Sequence, residues 1–441
     1  MENVRAGGAS FCRYGGKCMN SFPIFRALQS AWRQRSVPGQ LVIQITDACN
    51  ARCPQCGMRT SEPFRRSRIP MKDIRRIIDA AAQKGFQAIS FTGGEPLLLF
   101  DDLLKMIHHA AQAGIPCIRT GTNGFIFRES DDRNFTGRIT HMAERLAASG
   151  IRNFWISIDS AVPQVHERMR GLPGVIAGIY KALPIFHECG IYPSANLGIN
   201  RNLSGIQHED FRSPESFYEH YCSGFDRFYH RICDMGFTMV NCCYPMSLHP
   251  TEPASGLSAV YAAAATAPVV NFSRMEKALL FKALLNTIPQ YRSRIRIFTP
   301  RTSLLALYRH YTQHESLPYP CRGGTDFFFI DARNGHTYPC GYRGGEDLGR
   351  FEELLPADTS KNRRDCRLCD WECFRDPSEL MGPILDLLTC PLTALKRFAT
   401  DRTYARLWLE DILYYRACDF FDGRKAPKWE RIRRGSCDDI E

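Results

Sequence analysis

Leu41-Val-Ile-Gln-Ile-Thr46-Asp-Ala-Cys49-Asn-Ala-Arg-Cys53-Pro-Gln-Cys56 joins an apolar run to three closely spaced thiols. Leu41–Thr46 reads as a strand, short and apolar with β-branched residues. The first thiol follows at the strand's C-terminal end, with three residues to the second and two more to the third. Thiolate is the ligand that cluster iron prefers, and three of them hold three corners of a cubane, leaving one iron open to a further ligand. Zinc and buried free thiols are the other readings of the triad. Zinc sites usually draw on paired clusters or on His, whereas a free Cys behaves as a small hydrophobe.

Outward from this stretch, strand and helix patterns alternate. Strands are expected at Ala88–Phe91, Cys117–Thr120, Phe154–Ile158, Tyr192–Leu197 and Phe237–Asn241. Helical periodicity fills Met71–Gly85, Asp101–Ala113, Arg138–Ser149, Gly174–Cys189 and Ser213–Met235. Alternating units of this kind predict an α/β fold with a parallel sheet: a partial (β/α)6 barrel with a smaller C-terminal cysteine-rich α+β appendage. The expected organisation is an N-terminal extension over 1–40, the barrel over 41–250, a helical connection over 251–320, the appendage over 321–394 and a basic helical tail over 395–441. Helices are expected in the connection at Ala254–Ala267 and Ser273–Thr287.

The 441 residues are 44% hydrophobic and 23% charged, an ordinary globular composition, but they include 19 cysteines. The N-terminus lacks the apolar core of a secretory signal, and no run is long enough to span a bilayer. A reducing cytoplasm with metal-bound thiolates fits better than a disulfide scaffold. The net charge of +11 is diffuse apart from a basic C-terminal region, and no nucleic-acid-binding signature accompanies it, so no nucleic-acid partner is expected.

Gly93-Gly94-Glu95-Pro96 follows the second strand. Residues without Cβ let a backbone approach a ligand closely, Glu95 accepts from an ammonium, and Pro96 stiffens the exit. By itself this is a turn. One βα unit after the cysteine triad, it and the triad together resemble the signature of the radical S-adenosylmethionine (SAM) enzymes. The resemblance covers 41–245. It implies a catalytic [4Fe–4S] cluster on Cys49, Cys53 and Cys56, with SAM on the open iron and its amino group at Gly93, Gly94, Glu95 and Pro96. It further implies SAM contacts from Thr122 and Asn123, from Ser157 and Asp159, from Arg170 and from Asn196. Plainer readings stand beside these: an Asn-Gly turn at Asn123, a helix cap for Asp159 and a solvated helix face for Arg170. One departure is Gln55, where relatives often carry an aromatic residue near the adenine; Gly57-Met58 follow.

Cys321, Cys340, Cys366, Cys369 and Cys373, with Cys390 beyond, resemble the auxiliary-cluster appendage called SPASM, or its shorter twitch form. Cys340 belongs to an expected hairpin of Phe327–Ile330 with Tyr338. A shortened last interval and the lack of a seventh cysteine favour one auxiliary [4Fe–4S] cluster on Cys321, Cys340, Cys366 and Cys369, with Cys373 as the substitute ligand. Zinc is the alternative. Cys242 and Cys243 end the sixth strand, either as structural thiols or as groups that touch substrate or donate a hydrogen atom. Cys12 and Cys18 stand too far apart from the rest to assign, and no His shows metal-ligand spacing.

The resemblance implies reductive cleavage of SAM to a 5′-deoxyadenosyl radical, which takes hydrogen from a small-molecule or lipid substrate. An electron donor such as flavodoxin or ferredoxin is implied as partner. A peptide or protein maturase is one alternative. A non-enzymatic iron–sulfur carrier or zinc scaffold is another, against which Gly93–Pro96 counts, because a carrier needs no SAM pocket. The tail Leu395–Arg434 interleaves aromatic and basic residues, which suits packing against the barrel or peripheral contact with an anionic membrane.

Overall fold

The computed structural model describes residues 36–56, 65–205, 211–245, 257–260, 267–313, 315–355 and 365–434. Cys12 and Cys18 with nearly all of the N-terminal extension, Gly57-Met58 and most of the helix expected at Ala254–Ala267 lie outside the described residues.

Among the described residues one nine-stranded sheet runs through the molecule. Its strands are β1 (Gln40–Thr46), β2 (Ala88–Gly93), β3 (Cys117–Thr122), β4 (Asn153–Ser157), β5 (Ser194–Gly198), β6 (Met239–Cys243), β7 (Arg296–Ile297), β8 (Phe327–Ile330) and β9 (Thr337–Tyr338). The order is β7-β6-β5-β4-β3-β2-β1-β8-β9, so β1 to β7 follow one another without reversal, as in a barrel. Every pairing is parallel except that of β8 with β9. The edges β7 and β9 stay unjoined, and the barrel is partial.

All seven residues of β1 are buried, as a central parallel strand requires. Helices pack on the sheet through stripes of apolar residues at helical spacing. Ile74, Ile77, Ile78 and Ala81 form one such stripe on Met71–Gln83, and Leu103, Met106, Ile107 and Ala110 form another on Phe100–Gln112.

The structure extends the expected set of six strands at both edges. Phe327-Phe-Phe-Ile330 is buried throughout and pairs with Gln40–Ile43, so the hairpin of the appendage is built into the barrel sheet. An apolar strand of this kind needs a partner edge, and β1 offers one. β5 starts at Ser194 rather than Tyr192, because the Tyr192 N–H bonds the Gly423 carbonyl at 2.7 Å. The helix Pro163–Arg170 is the one whose face was the plainer reading of Arg170, Arg301–Gln313 falls within the expected helical connection, and Glu372–Thr389 has no counterpart in the sequence pattern. The last carries Pro377 and Pro383 in its interior, and proline reads as a helix breaker.

The tail forms the helices Pro391–Thr400, Arg402–Ala417 and Trp429–Arg434. Tyr414, Cys418, Phe421 and Ile432 are buried together with Met239 and Leu380. Asn153, the first residue of β4, donates to the Phe421 carbonyl, and Arg296, the first of β7, donates to that of Asp422. The tail therefore closes the N-terminal end of the barrel and leaves the C-terminal strand ends for the site. No helix among the described residues is long and apolar enough to cross a membrane.

Asp411 fixes the tail. It is fully buried, pairs with Arg292, and accepts from the N–H (2.8 Å) and hydroxyl (2.6 Å) of Thr302 at the start of Arg301–Gln313. Asp411→Ala leaves a buried guanidinium unpaired, and chemical denaturation should show a loss of about 3–5 kcal/mol. Leu392→Ala, at an exposed position, should change stability by no more than about 0.5 kcal/mol.

Candidate functional site

The loop after β1 and the loop after β2 are stitched into one unit. Gly94 N–H bonds the Thr46 carbonyl and Glu95 N–H bonds the Ala48 carbonyl, both at 2.8 Å. A Cβ on Gly93 would lie 2.3 Å from Thr46 O, and one on Gly94 would lie 2.1 Å from Ala48 O. Only glycine permits this approach, so Gly93-Gly94 sets the path of the chain into Cys49.

Glu95 extends the stitch to the third loop. Its Oε1 accepts from Leu97 N–H at 3.0 Å and its Oε2 from Asn123 N–H at 2.6 Å. Burial pushes its carboxyl up to about 7 against these bonds. Asn123 in turn donates from Nδ2 to Asn50 Oδ1 (2.9 Å) and towards Cys49 Sγ (3.7 Å), while its Oδ1 accepts from Phe125 N–H (2.9 Å). Thr122 Oγ1 accepts from Gly124 N–H at 3.1 Å. The side chains of Glu95 and Asn123 thus serve first as clasps on the cysteine loop.

On the opposite wall Asp159 and Arg170, expected as separate contacts, are bonded to each other. Arg170 Nε donates to Asp159 Oδ2 at 2.6 Å and Nη2 to Oδ1 at 3.0 Å. Asp159 is not a helix cap, and the Arg170 side chain is buried rather than solvated. Gln55 Nε2 also donates to Asp159 Oδ2, at 2.6 Å. The residue that breaks the aromatic pattern therefore ties the cysteine loop to β4, and its buried Oε1 has no hydrogen-bond partner among the described residues. His166 Nδ1 accepts from Asp159 N–H at 3.0 Å, and burial pushes the imidazole down to about 4, so it stays neutral.

A cavity of about 210 Å3 joins these walls at the C-terminal strand ends. Cys49, Cys53, Cys56, Gly93 to Pro96, Thr122, Asn123, Ser157, Asp159, Arg170 and Asn196 all line it. It is also lined by Trp155, Ile199, Cys243, Tyr244 and Val270. Of these only Cys243 was singled out from the sequence. Trp155 has room because Gly121 faces it: a Cβ there would lie 1.9 Å from the indole nitrogen. Strand alternation on β4 puts Trp155 on the same face as Ser157, a signal that was available in the sequence.

The donor set suits an iron–sulfur cluster. Burial pushes the Cys53 thiol up to about 12 and also raises Cys49, so a cation that binds here must displace their protons. The Ala51 N–H, 3.4 Å from Cys49 Sγ, and the Asn123 amide point donors at the sulfur. Among the described residues no three His, Cys, Asp or Glu converge closely enough to hold a single metal ion. The unpartnered Gln55 Oε1 and the tight glycine backbone suit an organic ligand with hydrogen-bond donors beside the cluster.

Cys321, Cys340, Cys366 and Cys369 line a second pocket with Arg343, Trp371 and Phe374. Burial, then the neighbouring Cys369 and Cys321, raise the Cys340 thiol. The buried Arg375 donates to the carbonyls of Tyr319, Cys366 and Cys369, and Arg343 donates to that of Gly323. Two guanidinium groups thus stand beside the four thiols, that of Arg343 also paired with Glu346. Cys373, expected as a substitute ligand, does not line this pocket. It donates to Glu372 Oε1 at 3.3 Å, at the first turn of Glu372–Thr389, and Cys390 is exposed at that helix's end.

The family model described as the Radical SAM superfamily matches residues 43–218. An AdoMet-dependent heme synthase of Nitratidesulfovibrio vulgaris is 24% identical over 302 residues, covering 68% of this chain and 72% of that protein. The AdoMet-dependent heme synthase of Methanosarcina barkeri is 21% identical over 349 residues, covering 79% and 87%. Among solved structures, Streptococcus suis SuiB bound to precursor peptide SuiA aligns with a TM-score of 0.49 and 18% identity, covering 73% of this chain and 64% of that one.

Gly94→Ala drives a Cβ into the Ala48 carbonyl and displaces the cysteine loop. Anaerobic iron loading of this variant should fall by about four irons per chain relative to the parent protein, as counted by iron and sulfide analysis.

Proposed function

The chain belongs to the radical SAM superfamily and is an enzyme, and on that premise we propose that it takes a hydrogen atom from a small-molecule or lipid substrate inside the partial barrel. The observation that carries this reading is the single cavity shared by the cysteine triad, Gly93–Pro96 and the interior ends of β3 to β6. Cys49, Cys53 and Cys56 hold the [4Fe–4S] cluster, and Gly93 to Pro96, Gln55 and the Asp159–Arg170 pair hold SAM. When bound, this pair of cofactors supplies an electron to the sulfonium and, from its cleavage, a 5′-deoxyadenosyl radical.

The protein's own contribution is placement and exclusion. Glu95 and Asn123 fix the cysteine loop. Trp155, Ile199, Tyr244 and Val270 wall off water, while Asn196 and Cys243 offer a few polar contacts. Apolar walls with sparse polar groups suit a small molecule with an apolar body. Similarity over most of their length to AdoMet-dependent heme synthases supports the same class.

Cys321, Cys340, Cys366 and Cys369 hold one auxiliary [4Fe–4S] cluster in this reading, with the buried Arg375 bonded to the backbone of Cys366 and Cys369 beside it. A low-potential flavodoxin or ferredoxin delivers the electrons. All described cysteines are free, which suits a reducing cytoplasm.

Anaerobic reconstitution should give about eight irons per chain, and dithionite with SAM should then yield 5′-deoxyadenosine. Cys53→Ala should abolish that product. Cys366→Ala combined with Cys369→Ala leaves two of the four thiols, and should lower the iron to about four per chain and keep SAM cleavage. Zinc in place of the second set of irons would return those cysteines to the zinc reading. A full iron load without 5′-deoxyadenosine would overturn the proposal.

A further inference from the structure

β6 ends in two adjacent thiols, and strand alternation sends them to opposite faces. Cys242 is fully buried against the Tyr229 hydroxyl, 3.5 Å away. Cys243 lines the cavity that holds the cysteine triad. Its Sγ donates to Asn196 Oδ1 at 3.4 Å, and that oxygen also accepts from Asn241 Nδ2 at 3.1 Å. Glu372 and Cys373 stand behind it, brought there by the helix Glu372–Thr389. Burial, then the Glu372 carboxyl and Cys373, raise the Cys243 thiol well above its ordinary value, so the S–H bond is kept. Neither the clasp on the cysteine loop nor the second cysteine pocket uses this residue.

We propose that Cys243 is a hydrogen-atom donor to a carbon radical formed in the cavity. The inference rests on the radical SAM reading above. In the step, the S–H bond breaks homolytically and a C–H bond forms. Sulfur is oxidised to a thiyl radical while carbon is reduced. An S–H bond is weaker than an alkyl C–H bond, so the transfer runs downhill. One electron from the low-potential iron–sulfur or flavin donor, with one proton from water, returns the thiyl radical to the thiol. The substrate thereby loses one hydrogen atom and regains one of solvent origin.

The test needs no substrate. Full-length reconstituted protein is exchanged into D2O, freed of small thiols, and given dithionite and SAM. In uncoupled turnover the 5′-deoxyadenosyl radical meets the deuterated thiol, so the 5′-deoxyadenosine gains a single deuterium. Cys243→Ser should give unlabelled product. Cys418→Ser, whose thiol lies among the C-terminal helices, should give labelled product. A second readout is independent of turnover: iodoacetamide with peptide mass mapping should alkylate Cys243 in the loaded protein, and SAM should slow that alkylation. Equal labelling in the parent protein and in Cys243→Ser would overturn this proposal alone, as would alkylation of Cys243 indifferent to SAM. Absence of 5′-deoxyadenosine from the parent protein would overturn the radical SAM reading and this inference with it.

Discussion

The close approach of Gly93-Gly94 to the backbone of Thr46–Ala48 is the constraint on which the site depends. Two backbone hydrogen bonds join the loops, and the missing Cβ atoms are what allow them. Neighbouring parallel strands place these loops side by side at the C-terminal end of the sheet. Glu95 then carries the connection onward to Asn123, and Asn123 to Cys49. The residues that hold the cysteine loop and those that line the cavity beside it are one hydrogen-bonded object. Placing such groups is what a protein contributes to chemistry that a cofactor performs.

Buried charge is handled differently at the two ends of the barrel. At the C-terminal end, Arg170 and Asp159 are paired beside the cavity and Gln55 shares the carboxylate. At the opposite end, Arg292 and Asp411 anchor the tail, and Arg296 reaches the backbone of Thr238 and Asp422. The first arrangement leaves polar atoms facing a cavity, including the unpartnered Gln55 Oε1. The second seals one.

Much of the barrel and of the site could be read from the sequence, because both obey local rules. Alternating apolar runs gave β1 to β6, and the short spacing of Cys49, Cys53 and Cys56 marked the chemistry. What escaped was non-local. β8 joins β1 across some 290 residues of chain, and no local pattern announces such a partner. The helix Glu372–Thr389 survives two internal prolines because tertiary packing outweighs propensity, and it turns Cys373 away from the four cysteines it neighbours in sequence. Gln55 looked like a defect in a pattern until Asp159, 104 residues away, appeared as its partner. Trp155, Tyr244 and Val270 needed the folded barrel to reveal which walls they form.

The central claim is that the cysteine triad and Gly93–Pro96 make one SAM site. Electron paramagnetic resonance of the iron-loaded, dithionite-reduced protein carrying both Cys366→Ala and Cys369→Ala isolates the triad's cluster for this question. The account predicts a single cluster signal whose g values shift when SAM is added, because SAM reaches the open iron. A signal indifferent to saturating SAM would contradict it.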